Sequence, residues 1–250
     1  MKRKATSLVT SLTRRLALTV TDYTSPRSLG SRLRARRIAP LLRMVEDVYA
    51  RRGAVRIIDI GGTPTYWNIL PAGFLDKHNV HITLVNLPGT ALGSRHGRFD
   101  VVEADGCDLG RFADHSFDIA HSNSVIEHVG DWSRQVAFGS EIARVASVYF
   151  VQTPNFWFPF EPHAMTPIFH WLPIRARVWL VMHHALGHWP KSETEREALA
   201  IVDSVRLLRK RQLRELLPSA AITTEWFLGL PKSLVAIGPQ PSRNRGIRNG

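Results

Sequence analysis

The sequence predicts an α/β protein built on a doubly wound, mostly parallel sheet. Short β-branched runs alternate with amphipathic helical stretches through the middle of the chain, which favours a parallel sheet with crossover helices. One run, Val55–Ile60, leads directly into Gly61-Gly62 and then Pro64. Two glycines let the backbone turn tightly, and proline is favoured at the first helical position. Strand, glycine turn and helix together are typical of a nucleotide-binding corner.

The predicted elements follow one another in a regular order. We predict strands at residues 55–60, 80–86, 99–103, 116–121 and 147–151, and a closing pair at residues 221–227 and 233–237. Helical patterns cover residues 31–52, a stretch from about residue 125, residues 132–145 and residues 193–217. Residues 155–192 are rich in Trp, Phe, Pro and His. We therefore predict an aromatic-rich insertion after the fifth strand that acts as a lid on the acceptor side.

Composition divides the chain into a basic arm and a larger domain. The 250 residues are 44% hydrophobic and carry a net charge of +12. Residues 1–56 hold 14 Lys/Arg and 3 Asp/Glu, whereas the remainder holds 19 and 18. We predict a disordered basic arm at residues 1–30, the α/β domain at residues 31–238 and a disordered tail at residues 239–250.

The same composition bounds the location and the partners of the protein. A single cysteine, Cys107, excludes an intrachain disulfide and suits a reducing compartment. Arg14 and Arg15 interrupt the first apolar segment, so we expect a cytoplasmic protein and not a secreted one. The basic arm is either a solvated tail or a segment that attracts anionic lipid or nucleic acid. We expect peripheral contact with the inner face of an anionic membrane more than contact with nucleic acid.

Polar residues follow four of the predicted strands at the edge where an open α/β sheet binds its ligand. They are Asp59, Asn86, Asp105 and the pair Ser122-Asn123. With the segment SFDIAHSNSVIEHV at residues 116–129, this order resembles the class I S-adenosylmethionine-dependent methyltransferases, in particular the type 11 group. The resemblance covers residues 55–155. It implies a seven-stranded Rossmann-like sheet, S-adenosyl-L-methionine as cofactor and methyl transfer as the activity.

The resemblance also implies a set of cofactor contacts. They fall on Asp59, Gly61, Gly62, Asn86, Asp105, Gly106, Ser122 and Asn123. Asp59 and the glycines would lie at the methionine part, Asn86 at the ribose, Asp105 with Gly106 at the adenine, and Ser122-Asn123 at the methyl-donor end. The chain departs from the family pattern at Thr63 and Thr65, which replace glycines, and at Asn86, which replaces an acidic residue.

Methyl transfer from an activated sulfonium mainly requires alignment of donor and acceptor, which can supply about 7–11 kcal/mol. A general base adds about 10²–10⁴-fold where the acceptor is a hydroxyl. His128 lies in the Glu-His pair of the family signature, and Glu161 and His163 flank Pro162 after the fifth strand. We predict these three residues as catalytic; the alternatives are a packing histidine and a rigid lid turn. His121 ends an apolar run, so we expect a buried, hydrogen-bonded histidine there.

The remaining histidines and tryptophans of the insertion carry a weaker signal. His170, His183, His184 and His188 are irregularly spaced, so we predict no metal site. Four tryptophans either shape an apolar acceptor pocket, contact lipid or form the core of the insertion, and we expect the core. They are Trp157, Trp171, Trp179 and Trp189.

Chemical arguments narrow the acceptor. Methylation at a cytosine carbon uses a cysteine nucleophile, but the only cysteine lies beside the predicted adenine position. The Asn/Asp-Pro-Pro-aromatic motif of enzymes that methylate DNA amino groups is absent, since Ser122-Asn-Ser124 stands in its place. We expect a small-molecule, lipid or saccharide acceptor, methylated at oxygen. Two alternatives stay open: an RNA methyltransferase guided by the basic arm, and a non-catalytic binding protein of the same fold.

Overall fold

The computed structural model describes residues 29–90 and 95–239, and in these the predicted α/β architecture is confirmed. The main sheet has the order β3-β4-β2-β1-β5-β6-β10-β9. Its strands are β1 (Val55–Ile60), β2 (Val80–Asn86), β3 (Arg95–His96), β4 (Phe99–Glu103), β5 (Phe117–Asn123), β6 (Ala146–Pro154), β9 (Ala221–Phe227) and β10 (Leu230–Gly238). Strands β7 (Phe160–Glu161) and β8 (Thr166–Pro167) form a separate ribbon.

Five central strands run parallel, and the chain reverses direction only at the sheet edges. β4, β2, β1, β5 and β6 are parallel, whereas β10 is antiparallel to β6, and β9 to β10. Seven strands have five or more residues, as the sequence predicts, and the two-residue β3 pairs antiparallel to β4 at one edge. The carboxyl ends of the parallel strands therefore meet along one rim, next to the switch point between β1 and β5.

Helices cover both faces of the sheet. They are α1 (Leu29–Arg52), α2 (Phe74–Lys77), α3 (Trp132–Val145), α4 (Ile174–His183), α5 (Glu195–Asp203) and α6 (Lys210–Leu216), with 3-10 turns at Pro64–Ile69 and Phe169–Trp171. Helix α3 begins at residue 132 because the Asp131 side chain accepts from the Arg134 N–H, a typical N-cap. Thr194 caps α5 in the same way through the Glu197 N–H.

Two apolar layers sandwich the sheet. On one face Ile38, Leu41, Val45 and Val48 of α1 pack against β1 and β2, so this helix is part of the core. On the other face α3 contributes Phe138 and Ile142. These layers fix the strand ends and hence the loops that follow them.

The insertion has its own small core, which continues into α5. It consists of Ala164, Phe169, Val178, Val181, Leu186, Ala198 and Val202. Of the four tryptophans expected in it, only Trp189 packs against it. Trp157, Trp171 and Trp179 are 55%, 41% and 54% exposed, so that expectation is wrong for them. Long-range packing of Phe and Val side chains fills the interior instead.

Two predicted helices are also wrong. Residues 193–217 form two helices because residues 205–209 are not helical: the Arg206 N–H donates to the Glu127 carbonyl, and Leu208 forms a β-bridge with Asn155. The stretch from residue 125 makes a single turn, closed by the His128 N–H on the Val125 carbonyl. Both departures come from contacts between segments far apart in sequence.

The predicted arm and tail lie almost entirely outside the described residues, which begin at Leu29 and end at Pro239. Within residues 29–90 and 95–239, no helix has both the length and the apolar content that crossing a bilayer requires.

Candidate active site

The glycine turn after β1 is fixed by close packing on both sides. Gly61 has φ +73°, and a Cβ there would lie 2.4 Å from a methyl of Val125. A Cβ on Gly62 would lie 1.8 Å from the Asp59 carboxylate. The Gly61 N–H also donates to the Val85 carbonyl of β2. Both positions therefore require glycine because the backbone crosses directly over its neighbours.

Asp59 forms the buried floor of this turn. Its side chain is 1% exposed; Oδ2 accepts from Trp67 Nε1 at 2.9 Å, and Oδ1 lies 2.6 Å from His121 Nδ1. His121 continues the network through Nε2, which lies 3.2 Å from the Tyr66 hydroxyl. The expectation of a buried, hydrogen-bonded His121 is confirmed. Asp59 thus shapes the loop from beneath, with both oxygens already bonded.

Asn86 and Asp105 lie at the ends of the next two strands along the rim. Asn86 Nδ2 donates to the Gly62 carbonyl at 2.9 Å, so its amide holds the glycine turn and leaves Oδ1 as an acceptor. Asp105 accepts from the Cys107 N–H and from Arg134 Nη2, at 2.9 and 2.6 Å. Partial burial opposes ionisation of Asp105, but these bonds outweigh it and lower its pKa.

Gly106, Ser122 and Asn123 support the rim. A Cβ on Gly106 would lie 2.7 Å from both Ile60 and Phe138, so this glycine lets the loop close onto β1. Ser122 is fully buried and donates to the Ile60 carbonyl. Asn123 Oδ1 accepts from Arg37 of α1 at 3.5 Å. The structure therefore places the predicted cofactor residues along one rim of the sheet.

The three predicted catalytic residues converge, although 35 residues separate the two histidines. His128 Nε2 lies 3.0 Å from His163 Nε2, and the rings meet edge to face. Glu161, 2% exposed, lies 2.7 Å from His163 Nδ1 through Oε1 and accepts from the backbone N–H groups of His163 and Ala164 through Oε2. Pro162 and these bonds hold the Glu-Pro-His turn rigid.

A fourth residue, Glu127, completes this acceptor-side cluster, which we define as Glu127, His128, Glu161 and His163. Glu127 is fully buried, and burial raises its pKa to about 7. Its Oε2 accepts from Thr153 Oγ1 at 2.9 Å. Glu127 is the acidic residue of the Glu-His pair in the family signature, and the sequence alone predicts no role for it. Its side-chain partner, Thr153, lies 26 residues away in the sequence, so no local pattern connects the two.

The two histidines differ in charge environment. Burial and the neighbouring His163 lower the pKa of His128. Burial also opposes the charged form of His163, but the hydrogen bond and charge of Glu161 prevail and raise its pKa. His163 is therefore the histidine that holds positive charge better.

The cluster adjoins the glycine turn through the loop after β5. Val125, which packs on Gly61, lies two residues before Glu127 in that loop. On the far side, His163 stacks on Trp189 of the insertion, with the ring planes 10° apart. The cluster thus lies between the rim of the sheet and the insertion.

A cleft lies at the end of the strands opposite this rim. It has a volume of about 600 Å³ and is lined by residues that include Arg56, His81, Asp100, Arg111 and Phe117. Most of these lie near the starts of β1, β2, β4 and β5. None of the predicted cofactor or catalytic residues lines it. Parallel sheets bind ligands at the carboxyl ends of their strands, so we give this cleft no part in the chemistry.

Comparison with known proteins supports a methyltransferase fold. Residues 72–147 match the family described as "Methyltransferase domain". The chain is similar to a SAM-dependent methyltransferase from Archaeoglobus fulgidus, with 13% identity and a TM-score of 0.50 over 83% of this chain and 93% of the other. No curated protein sequence matches it.

Two further solved structures are more distant. One is a SAM-dependent methyltransferase from Methanosarcina mazei, with 14% identity and a TM-score of 0.44, covering 74% of this chain and 91% of the other. The other is an O-methyltransferase family protein from Burkholderia thailandensis, with 18% identity and a TM-score of 0.40, covering 87% and 60%.

The hydrogen-bond acceptors along the rim match the donor groups of an adenosyl group. The Asp105 carboxylate is an acceptor for an exocyclic amino group, and Asn86 Oδ1 is an acceptor for a ribose hydroxyl. Thr63 and Thr65, whose hydroxyls lie 3.3 Å apart, add polar groups next to the glycine turn. Among the predicted cofactor contacts, the one between Asp59 and the ammonium group is the least accessible, because the Asp59 carboxylate is buried.

Proposed function

We propose that the chain is a class I S-adenosylmethionine-dependent methyltransferase that methylates a hydroxyl oxygen. The acceptor is a small molecule, lipid or saccharide held between the sheet rim and the insertion. The convergence of His128 and His163, with Glu161 behind His163, is the observation that carries this proposal. An alcohol is a weak nucleophile until its proton is removed or displaced.

The residues divide into two groups in this proposal. Asn86 and Asp105 bind the ribose and adenine, while the glycine turn over Asp59 positions the methionine end. S-adenosylmethionine, when bound, supplies a methyl group already activated as a sulfonium. The acceptor-side cluster holds the hydroxyl in line and stabilises its oxygen: the methyl–oxygen bond forms as the methyl–sulfur bond breaks, and the hydroxyl proton passes to solvent.

A methyl-donor consumption assay tests the proposal. The full chain is incubated with radiolabelled S-adenosylmethionine and fractionated lipid, saccharide, small-metabolite and RNA extracts. We expect label in one of the first three fractions, in a product that resists base hydrolysis as a methyl ether does. His163→Ala should lower the rate by about 10²–10⁴-fold without changing S-adenosylhomocysteine binding. His81→Ala, at the opposite end of the strands, is the matched control.

The other outcomes separate the alternatives. Label in the RNA fraction, together with RNA binding that weakens steeply as the salt concentration rises, would show that the acceptor is RNA. S-adenosylhomocysteine binding without consumption in any fraction would favour a non-catalytic protein. Transfer to a nitrogen or carbon atom would retain the enzyme and refute the oxygen assignment.

We also propose peripheral contact with anionic membranes, which would present lipid or lipid-linked acceptors to the site. Support comes from exposed aromatic rings on the insertion next to arginine: Trp157 and Trp171 lie 6.4 Å apart, and Arg209 stands 5.4 Å above the Trp157 ring. Tryptophan with arginine is typical of surfaces that lie at a membrane interface. The net charge of +11 in residues 1–56 adds attraction to anionic lipid.

Vesicle flotation tests this contact. The full chain should float with vesicles that contain phosphatidylserine, and deletion of residues 1–28 or Trp157→Ala with Trp171→Ala should reduce the bound fraction. A deletion that extends to residue 50 would remove core residues of α1 and is unsuitable. Trp226→Ala, equally exposed on β9, is the control. Equal flotation of all variants would refute the proposal.

A further inference from the structure

The acceptor-side cluster has the composition of a metal site. One ligand atom each from Glu127, His128 and His163 lie within 4.8 Å of one another, and among the described residues this is the group with that property. Two imidazoles and one carboxylate are a donor set that holds Zn²⁺ in enzymes, with a further position left open. Glu127 is buried, whereas His128 is exposed, so the open position faces solvent.

The hydrogen bonds outside the cluster fix the tautomers of both histidines. His128 Nδ1 lies 3.1 Å from the Ser204 carbonyl oxygen, which can only accept, so this nitrogen carries the hydrogen. His163 Nδ1 faces Glu161 Oε1, and the other oxygen of Glu161 already accepts two backbone N–H bonds, as a carboxylate does. His163 therefore also carries its hydrogen on Nδ1.

The two Nε2 atoms consequently face each other with their lone pairs. At 3.0 Å, two neutral acceptors repel, so either a proton or a cation lies between them. Nitrogens 3.0 Å apart subtend about 95° at a metal that lies about 2.0–2.1 Å from each, and a slight widening reaches the tetrahedral angle. The pair is thus already spaced as two ligands of one ion.

Glu127 supplies an independent observation. It is fully buried, and its Oε1 has no hydrogen-bond partner within the described part of the chain, although Oε2 is bonded to Thr153. A buried carboxylate oxygen without a partner is costly unless a cation compensates it. One cluster therefore combines two histidine nitrogens that both face each other as acceptors with a buried carboxylate oxygen that has no partner, and a bound cation would satisfy both.

We propose that Glu127, His128 and His163 bind one divalent transition-metal ion of the zinc class. Glu161 is a positioning residue, because its bond to Nδ1 orients the His163 ring and increases its basicity, as carboxylates do behind metal-bound histidines. The ion offers its open position to a hydroxyl oxygen and acts as a Lewis acid there. That role rests on the proposed function, whereas the binding of the metal does not.

Cobalt absorption tests the site directly. The full chain, freed of any histidine tag and treated with a chelator, is titrated with Co²⁺ and then with Zn²⁺. We expect visible d–d absorption that saturates at one equivalent and is displaced by Zn²⁺. His128→Gln and His163→Gln should abolish it, Glu161→Gln should weaken Co²⁺ affinity by about 10–100-fold, and His81→Gln should leave it unchanged. Thermal unfolding confirms that each variant is folded.

Two results would overturn the inference. The first is a folded wild-type chain with no saturable cobalt spectrum, which would mean that a proton joins the two histidines. The second is unchanged binding in the His128 and His163 variants. Methyl transfer is measured on the same samples. Saturable cobalt binding without methyl transfer would refute the proposed function alone. Methyl transfer by a chain that shows no saturable cobalt binding would refute the inference alone.

Discussion

Removal of the Asp59 carboxylate should destabilise the protein strongly, because this group alone satisfies two buried donors. Asp59 and His121 are each 1% exposed, and Trp67 is also buried. Asp59→Ala would leave Trp67 Nε1 and His121 Nδ1 without their partner, at about 1–3 kcal/mol each. With the small cavity that is left, we expect a loss of about 3–5 kcal/mol in the free energy of unfolding.

Urea unfolding followed by circular dichroism measures this loss. Asp59→Asn keeps one acceptor oxygen and should cost less, whereas Asp47→Ala, on the exposed side of α1, should change stability by at most about 0.5 kcal/mol. A double-mutant cycle with Trp67→Phe should give a coupling of about 1–2 kcal/mol. A loss below about 1 kcal/mol for Asp59→Ala would refute the assignment of Asp59 as the floor of the glycine turn.

Three further perturbations test other parts of the molecule. Burial raises the pKa of Cys107 to about 11, so iodoacetamide at pH 8 should react about 100-fold more slowly than with the urea-unfolded chain, and equal rates would contradict this. The hydrogen bond from Arg144 lowers the pKa of Glu141; its stabilisation is present above pH 4.5 and lost as pH falls through the lowered pKa. In urea titrations Arg144→Ala should therefore cost about 1–2 kcal/mol at pH 7 and less at a pH where Glu141 is protonated, where only the bonds of Arg144 to the Phe112 and Leu109 carbonyls remain; a pH-independent loss would rule this out. Gly106→Ala should cost about 1–3 kcal/mol by thermal unfolding, because its Cβ would collide with Phe138; wild-type stability would show that the loop has room.

Local sequence patterns were sufficient to predict the sheet and two of the helices that cover it. The β-branched runs predict the parallel strands within a few residues, and α3 begins at Trp132 as predicted because Asp131 caps it. Strand ends also predict which polar residues meet at the rim, since parallel strands present their carboxyl ends on the same side. Asn86 and Asp59 thus meet around Gly62, as the order of the strands implies.

Contacts between segments that lie far apart in the sequence could not be predicted from local sequence patterns. Residues 193–217 have a helical period throughout, yet they break at Ser204 because the Arg206 N–H and Leu208 bond to the loops after β5 and β6. The meeting of His128 with His163 depends on how the insertion folds back. Three of the four insertion tryptophans, Trp157, Trp171 and Trp179, lie outward because other apolar side chains already fill its small core.

The central claim, that the rim around the glycine turn grips an adenosyl group, is tested most directly by calorimetry with S-adenosylhomocysteine. We predict binding with one site per chain, weakened at least about tenfold by Asp105→Ala, since a hydrogen bond to a charged group contributes about 1.5–3 kcal/mol. Arg56→Ala, in the cleft at the opposite end of the strands, should leave affinity unchanged. Absence of heat at millimolar ligand, or binding that is lost with Arg56→Ala and kept with Asp105→Ala, would contradict the claim.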